Sequence, residues 1–220
     1  MRVITYFLSI VILVHQPHAF GQRKVDQSWF IDPDGNSGKI TKTTTQADLK
    51  RIFGEQNVHD RDVNLGEGYF EKGTALFSGE PQKFIEILWK DAEGNRFPKM
   101  ILVSGIQEGN YAGESLWKTT YGIGLGTSLK DLEKINRCPF RLAGFAWDYG
   151  GTILSWAGGL LEKDFGSNGD KKVFIRLSED NSHSADARQV LGDREFSSGH
   201  PAMQTINPHI YQMVFVFSRG

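Results

Sequence analysis

Two stretches of this chain spell the same short helix, and that echo constrains the fold more than any other feature. Thr44-Thr45-Gln46-Ala47-Asp48-Leu49-Lys50-Arg51-Ile52 is matched by Thr127-Ser128-Leu129-Lys130-Asp131-Leu132-Glu133-Lys134-Ile135. In each, a Ser or Thr precedes an Asp by three positions, the spacing of a reciprocal N-cap. In each, Leu and Ile three apart make a narrow apolar face. Leu49, Ile52 and Phe53 share that face in the first copy, and Gly54 is a natural stop. A weaker echo, Ala185 to Gly192, lies near the C-terminus.

The segments after each helix have the composition of strands. Gly73–Ser78, Phe84–Trp89 and Met100–Val103 are rich in β-formers. Ile85, Ile87 and Trp89 alternate onto one face. After the second helix, Phe145–Tyr149 and Thr152–Trp156 flank Gly150-Gly151, a hairpin signal. Lys172–Leu177 and Ile210–Phe217 are further strands. The predicted fold class is α+β: antiparallel β-meanders, each preceded by a short capped helix, as a tandem repeat. The subrepeats would span 39–104 and 119–177, with a β extension over 178–220.

The helix entry Leu125-Gly126-Thr127-Ser128, the helix Leu129–Ile135 and the Gly-, Trp- and Tyr-rich strands after it resemble the helix-plus-meander repeat of β-lactamase-inhibitor-protein-like domains. The same repeat occurs in small lipoproteins of the outer-membrane assembly machinery. The resemblance covers residues 40–160 and implies the fold only. The chain has neither the lipobox of one group nor the disulfides of the other, and no site residue carries over.

The N-terminus has the three parts of a secretory signal: Arg2, the apolar run Val3–Val14, and a polar segment ending in Ala19-Phe20-Gly21. The run of about 12 residues is short of the ~20 that span a bilayer. Cleavage after Gly21 is expected. Residues 22–38 read as a flexible leader, and 39–220 as one globular domain in the periplasm or secreted, most consistent with a bacterial source. Cys138 is the only cysteine, so no intramolecular disulfide can form and the domain must rest on its core. A net charge of −1 with mixed signs leaves no basic stripe for nucleic acid. No membrane span after cleavage and a monomeric state are expected.

No Walker loop, G-x-S-x-G elbow or dinucleotide fingerprint is present. His59, His183, His200 and His209 lack metal-ligand spacing. Asp60-Arg61-Asp62-Val63-Asn64 resembles the start of a calcium loop, but Leu65 stands where such loops need glycine. No metal or cofactor is therefore expected. The densest functional candidate is the aromatic run 145–156. If it is a hairpin, Phe145, Trp147 and Tyr149 share a face that reads as core, which leaves Trp156 as the exposed aromatic. Trp156, Tyr149, Asp148 and Trp117 are the expected ligand-binding residues. The expected function is a non-enzymatic module that binds a protein or glycan of the cell envelope. The alternative is a polysaccharide hydrolase with a carboxylate pair drawn from Glu86, Glu114, Asp148 and Glu162.

Overall fold

The computed structural model describes residues 29–107, 110–111, 113–166, 172–178 and 184–217. Residues 1–21, read as a signal sequence, residues 22–28 and His183 lie outside the described residues.

Both expected helices form, for the reason their sequences suggest. In α1 (Gln46–Phe53) the Thr45 hydroxyl accepts the Asp48 N–H at 3.1 Å, and the Asp48 carboxylate accepts the Thr45 N–H at 3.1 Å. The chain leaves this helix at Gly54, whose φ of +92° is costly for any side-chain-bearing residue. In α2 (Leu129–Asn136) the Ser128 hydroxyl accepts the Asp131 N–H at 3.2 Å, and Arg137 ends the helix in the left-handed region. Leu49 of α1, with Leu129 and Leu132 of α2, is fully buried.

The remaining elements, in chain order, are β1 (Val58–Gly66), β2 (Tyr69–Leu76), β3 (Ile85–Asp91), β4 (Arg96–Ser104), β5 (Ile106–Gln107), β6 (Asn110–Tyr111), β7 (Arg141–Ala143), β8 (Ile153–Ser155), α3 (Glu162–Phe165), β9 (Val173–Ser178), α4 (Ala185–Gln189), β10 (Glu195–Ser197), α5 (Pro201–Ile206) and β11 (His209–Val216). Helix α2 precedes β7, and a 3-10 turn at Glu55–Asn57 joins α1 to β1. Six strands make one antiparallel sheet in the order β1-β2-β3-β4-β11-β9, and a second sheet has the order β10-β7-β8. The fold class is α+β with antiparallel sheets, as expected.

The two helix-led units are not alike beyond their helices. The first leads into four strands in sequential order, whereas the second supplies the short pair β7–β8, joined by β10 from near the C-terminus. The topology therefore does not confirm a tandem repeat. The C-terminal strand β11 is inserted between β4 and β9, so chain closure depends on the last described strand.

Alternation along the large sheet sorts its side chains. Ile87, Trp89, Ile101, Val103, Ile175, Met213 and Phe215 face the main core, joined there by Trp117, Phe140, Trp156 and Phe165. Val63, Leu88 and Leu102 form a small separate cluster. The register places them on the opposite face of the sheet. Ile31, within the stretch read as leader, is fully buried in the main core, and its N–H donates to Lys118 O at 3.0 Å. No helix among the described residues is long and apolar enough to cross a membrane.

Candidate functional site

The aromatic run departs from the hairpin drawn from its sequence. Only Arg141–Ala143 and Ile153–Ser155 pair as strands, and residues 146–151 form a turn between them. The cause is local packing at two glycines. A Cβ on Gly144 would stand 2.5 Å from Gly192 O and 2.7 Å from Val190 O. The backbone of Gly144 is thus pressed against the 190–192 loop, and the strand ends there. The chain then turns through Ala146 at φ +64° and returns through Gly151 at φ +71°. Any Cβ at Gly151 would lie 2.0 Å from Leu177 O.

Without a strand there is no alternation to pair Phe145 with Trp147 and Tyr149. Phe145 is buried, while Trp147 is 38% and Tyr149 60% exposed. Trp156 is 2% exposed and packs between Phe140, tilted at 5.4 Å, and Phe165, edge to face at 5.6 Å between centroids. The expected order of exposure between Trp147 and Trp156 is thus reversed. Trp117, another expected ligand-binding residue, is also core: it is 1% exposed, and its Nε1 donates to Lys83 O at 2.7 Å. Neither Trp156 nor Trp117 meets solvent enough to touch a ligand, because each fills the space between the helices and the sheet.

What remains at the surface is a three-residue tip, Trp147-Asp148-Tyr149. The two rings contact edge to face, 5.4 Å between centroids and 69° between planes. The Trp147 indole N–H is spent internally, donating to Gly144 O at 2.9 Å, which fixes the partly exposed ring. Asp148 is exposed between the two aromatics.

The turn is held from beneath. Arg176 on β9 donates through Nη2 to Asp148 O at 2.6 Å and to Gly150 O at 3.4 Å. Leu177 N–H donates to Gly151 O at 2.9 Å, Gly151 N–H to Ala143 O at 3.3 Å, and Gly150 N–H to Trp147 O at 2.9 Å. The Arg176 guanidinium also lies 5.5 Å from the centre of the Tyr211 ring. Burial raises the Tyr211 phenol above its ordinary range, and the nearby Arg176 charge opposes that rise. Arg176 Nε is buried with no hydrogen-bond partner among the described residues, a cost that its bonds to the turn must offset. Sequence reasoning missed Arg176, since nothing along the chain places it beneath residues 148–150.

The carboxylates proposed for hydrolysis are dispersed. Glu86, on the sheet face opposite the main core, pairs with Arg61 at 2.7 Å, and burial pushes its carboxyl above the ordinary range against that ion pair. Glu162 opens α3, Glu114 packs beside Gly126, and Asp148 is on the aromatic turn. Asp60 and Asp62 belong to strand β1 rather than to a loop, and the Gln46 amide donates to Asp60 at 2.6 Å. Among the described residues no three His, Cys, Asp or Glu side chains are grouped to hold a metal ion. No protein-family model, curated protein or solved structure matches the chain.

Proposed function

We propose that this chain is an exported, non-enzymatic binding module that holds a glycan of the cell envelope on the turn between β7 and β8. The observation that carries the reading is the exposed pair Trp147 and Tyr149, standing in contact on a turn that is already fixed before any ligand arrives. An aromatic face stacks on the apolar side of a sugar ring, and a rigid turn loses little conformational freedom on binding. The exposed carboxylate of Asp148, which separates the two aromatics in sequence, accepts hydrogen bonds from sugar hydroxyls. Export rests on the tripartite N-terminal segment, with cleavage after Gly21.

The test is affinity electrophoresis through gels cast with individual polysaccharides, using the mature protein. Retardation by at least one polysaccharide, lost in Trp147→Ala and weakened in Tyr149→Phe, is the expected pattern. Equal mobility of the parent and Trp147→Ala in every gel, or capture of a protein partner through the same pair, overturns the glycan assignment. N-terminal sequencing of the exported product should begin at Gln22, and retention of the full chain inside the cell overturns the export assignment.

A further inference from the structure

A groove of about 470 Å³ lies along α2, away from the residues of the aromatic turn; Lys130, Glu133, Lys134, Arg137, Cys138 and Gln204 are among those that line it. Its volume is within the range of small-ligand sites. Lys130, Lys134 and Arg137 are all exposed; the first two share one side of α2 at i, i+4, and Arg137 follows as its left-handed C-cap. By helix rise, Lys130 and Lys134 are set about 6 Å apart along the axis, and Arg137 extends the group past the end of the helix. Lys134 has one carboxylate partner, Asp131 at 2.9 Å, in a pair so exposed that solvent largely screens it. Lys130 and Arg137 have no carboxylate partner among the described residues.

The opposite character is also present. Glu133 and Gln204 are half-buried, and the Gln204 amide donates to the Glu133 carboxylate at 2.7 Å and to Ser198 O at 3.0 Å. This pair ties α5 to α2 and leaves acceptor oxygens at the groove. The Cys138 thiol lies at the same groove, half-buried, with Sγ 3.8 Å from Trp156 O.

We infer that this groove binds a short acidic oligosaccharide, with the group of cations on its carboxylates and Glu133 with Gln204 on its hydroxyls. Three cations are too few for nucleic acid, where specific complexes neutralise on the order of 6–10 phosphates. Inorganic polyphosphate would satisfy the cations but offers no hydroxyl donors for Glu133, which would repel it. A neutral glycan would leave the three cations unused. A ligand with both spaced acids and hydroxyls engages the cations, Glu133 and Gln204 together. The inference stands apart from the aromatic turn, on different residues and a different element.

The experiment is isothermal titration of the mature protein with a tetramer of galacturonic acid and with its methyl-esterified, uncharged counterpart. The acid tetramer should bind, the ester at least tenfold more weakly, and the affinity should fall several-fold when salt is raised from about 0.05 to about 0.2 M. Lys134→Glu with Arg137→Glu should lower the affinity at least tenfold, while Lys134→Arg keeps it. Because Cys138 lies at the groove, bound tetramer should also slow its labelling by an uncharged maleimide in the parent protein, a readout that needs no variant to fold. Equal binding of acid and ester, or no binding of either, overturns the inference. Tighter binding of polyphosphate or of duplex DNA overturns the ligand class. If Trp147→Ala abolishes binding of the tetramer while the double charge variant does not, the ligand sits on the aromatic turn and the groove inference fails. If instead the groove variants alone lose it, the inference holds whatever the fate of the aromatic-turn proposal.

Discussion

Trp156→Ala should be among the most damaging single substitutions in this chain, and Trp147→Ala should be milder. The Trp156 side chain is 2% exposed, between Phe140 and Phe165. Burying an indole removes on the order of 200 Å² from water, worth about 5 kcal/mol at 25 cal/mol per Å². Its two ring contacts add about 0.5–1.5 kcal/mol each. Partial collapse of the cavity and burial already present in the unfolded chain reduce the sum, so a loss of about 3–5 kcal/mol is expected. Against a total stability of about 5–15 kcal/mol, that brings the fold near its limit. Trp147 forfeits one edge-to-face contact and one hydrogen bond at the surface, together about 1–3 kcal/mol. Urea titrations followed by far-ultraviolet circular dichroism separate the two. With a slope of about 2 kcal/mol per molar, Trp156→Ala should lower the midpoint by about 1.5–2.5 M, and Trp147→Ala by about 0.5–1.5 M. A larger loss for Trp147→Ala than for Trp156→Ala would refute the packing argument and return the exposed role to Trp156.

Other perturbations test separate parts of the structure. Asn136 is fully buried; its amide donates to Trp156 O and Cys138 O, both at 3.0 Å, and accepts Leu161 N–H at 3.2 Å. Asn136→Ala strands those groups and should cost about 2–4 kcal/mol in the same titration, and a loss below ~1 kcal/mol would show that water replaces the side chain readily. Ser128→Ala removes the α2 cap and should cost about 0.5–2 kcal/mol, with an unchanged midpoint counting against the cap. Glu86 has a carboxyl raised by burial, so its contribution is fully present below its unfolded value, near 4.5, and is lost as pH rises through its higher folded value. Stability measured across that window should decline with pH, and Glu86→Gln should flatten the decline; an identical profile in the variant removes Glu86 as the cause. Asp48 has the opposite sign: hydrogen bonds from Thr45 hold its carboxyl below the ordinary range, so its contribution is lost as pH falls below about 3.8, and Asp48→Asn should remove that acid-side loss.

The parts of this protein that were legible in the sequence are those decided within a few residues of chain. The caps of α1 and α2 are local, since Thr45 with Asp48 and Ser128 with Asp131 need only a turn of helix to meet. The inward face of β3 follows from alternation of apolar residues along extended chain. Strand β1 escaped that reading because Asp60, Arg61, Asp62 and Asn64 are poor strand formers, and it forms through pairing with β2 along a free sheet edge, where charge is tolerated. Helix α5 carries no such local mark, because Pro201 suits the first helical position as well as it suits a turn.

The candidate site lies on the other side of that division. Local composition marked the aromatic run and its Gly-Gly turn. Which rings meet solvent was set by contacts with residues far along the chain: the 190–192 loop against Gly144, Leu177 O against Gly151, and Arg176 under the tip. Those contacts replaced a strand with a turn and exchanged the places of Trp147 and Trp156. Sequence by itself determines propensity and periodicity, because both act between near neighbours. Exposure is decided by where distant segments pack, and only the tertiary structure brings those segments together.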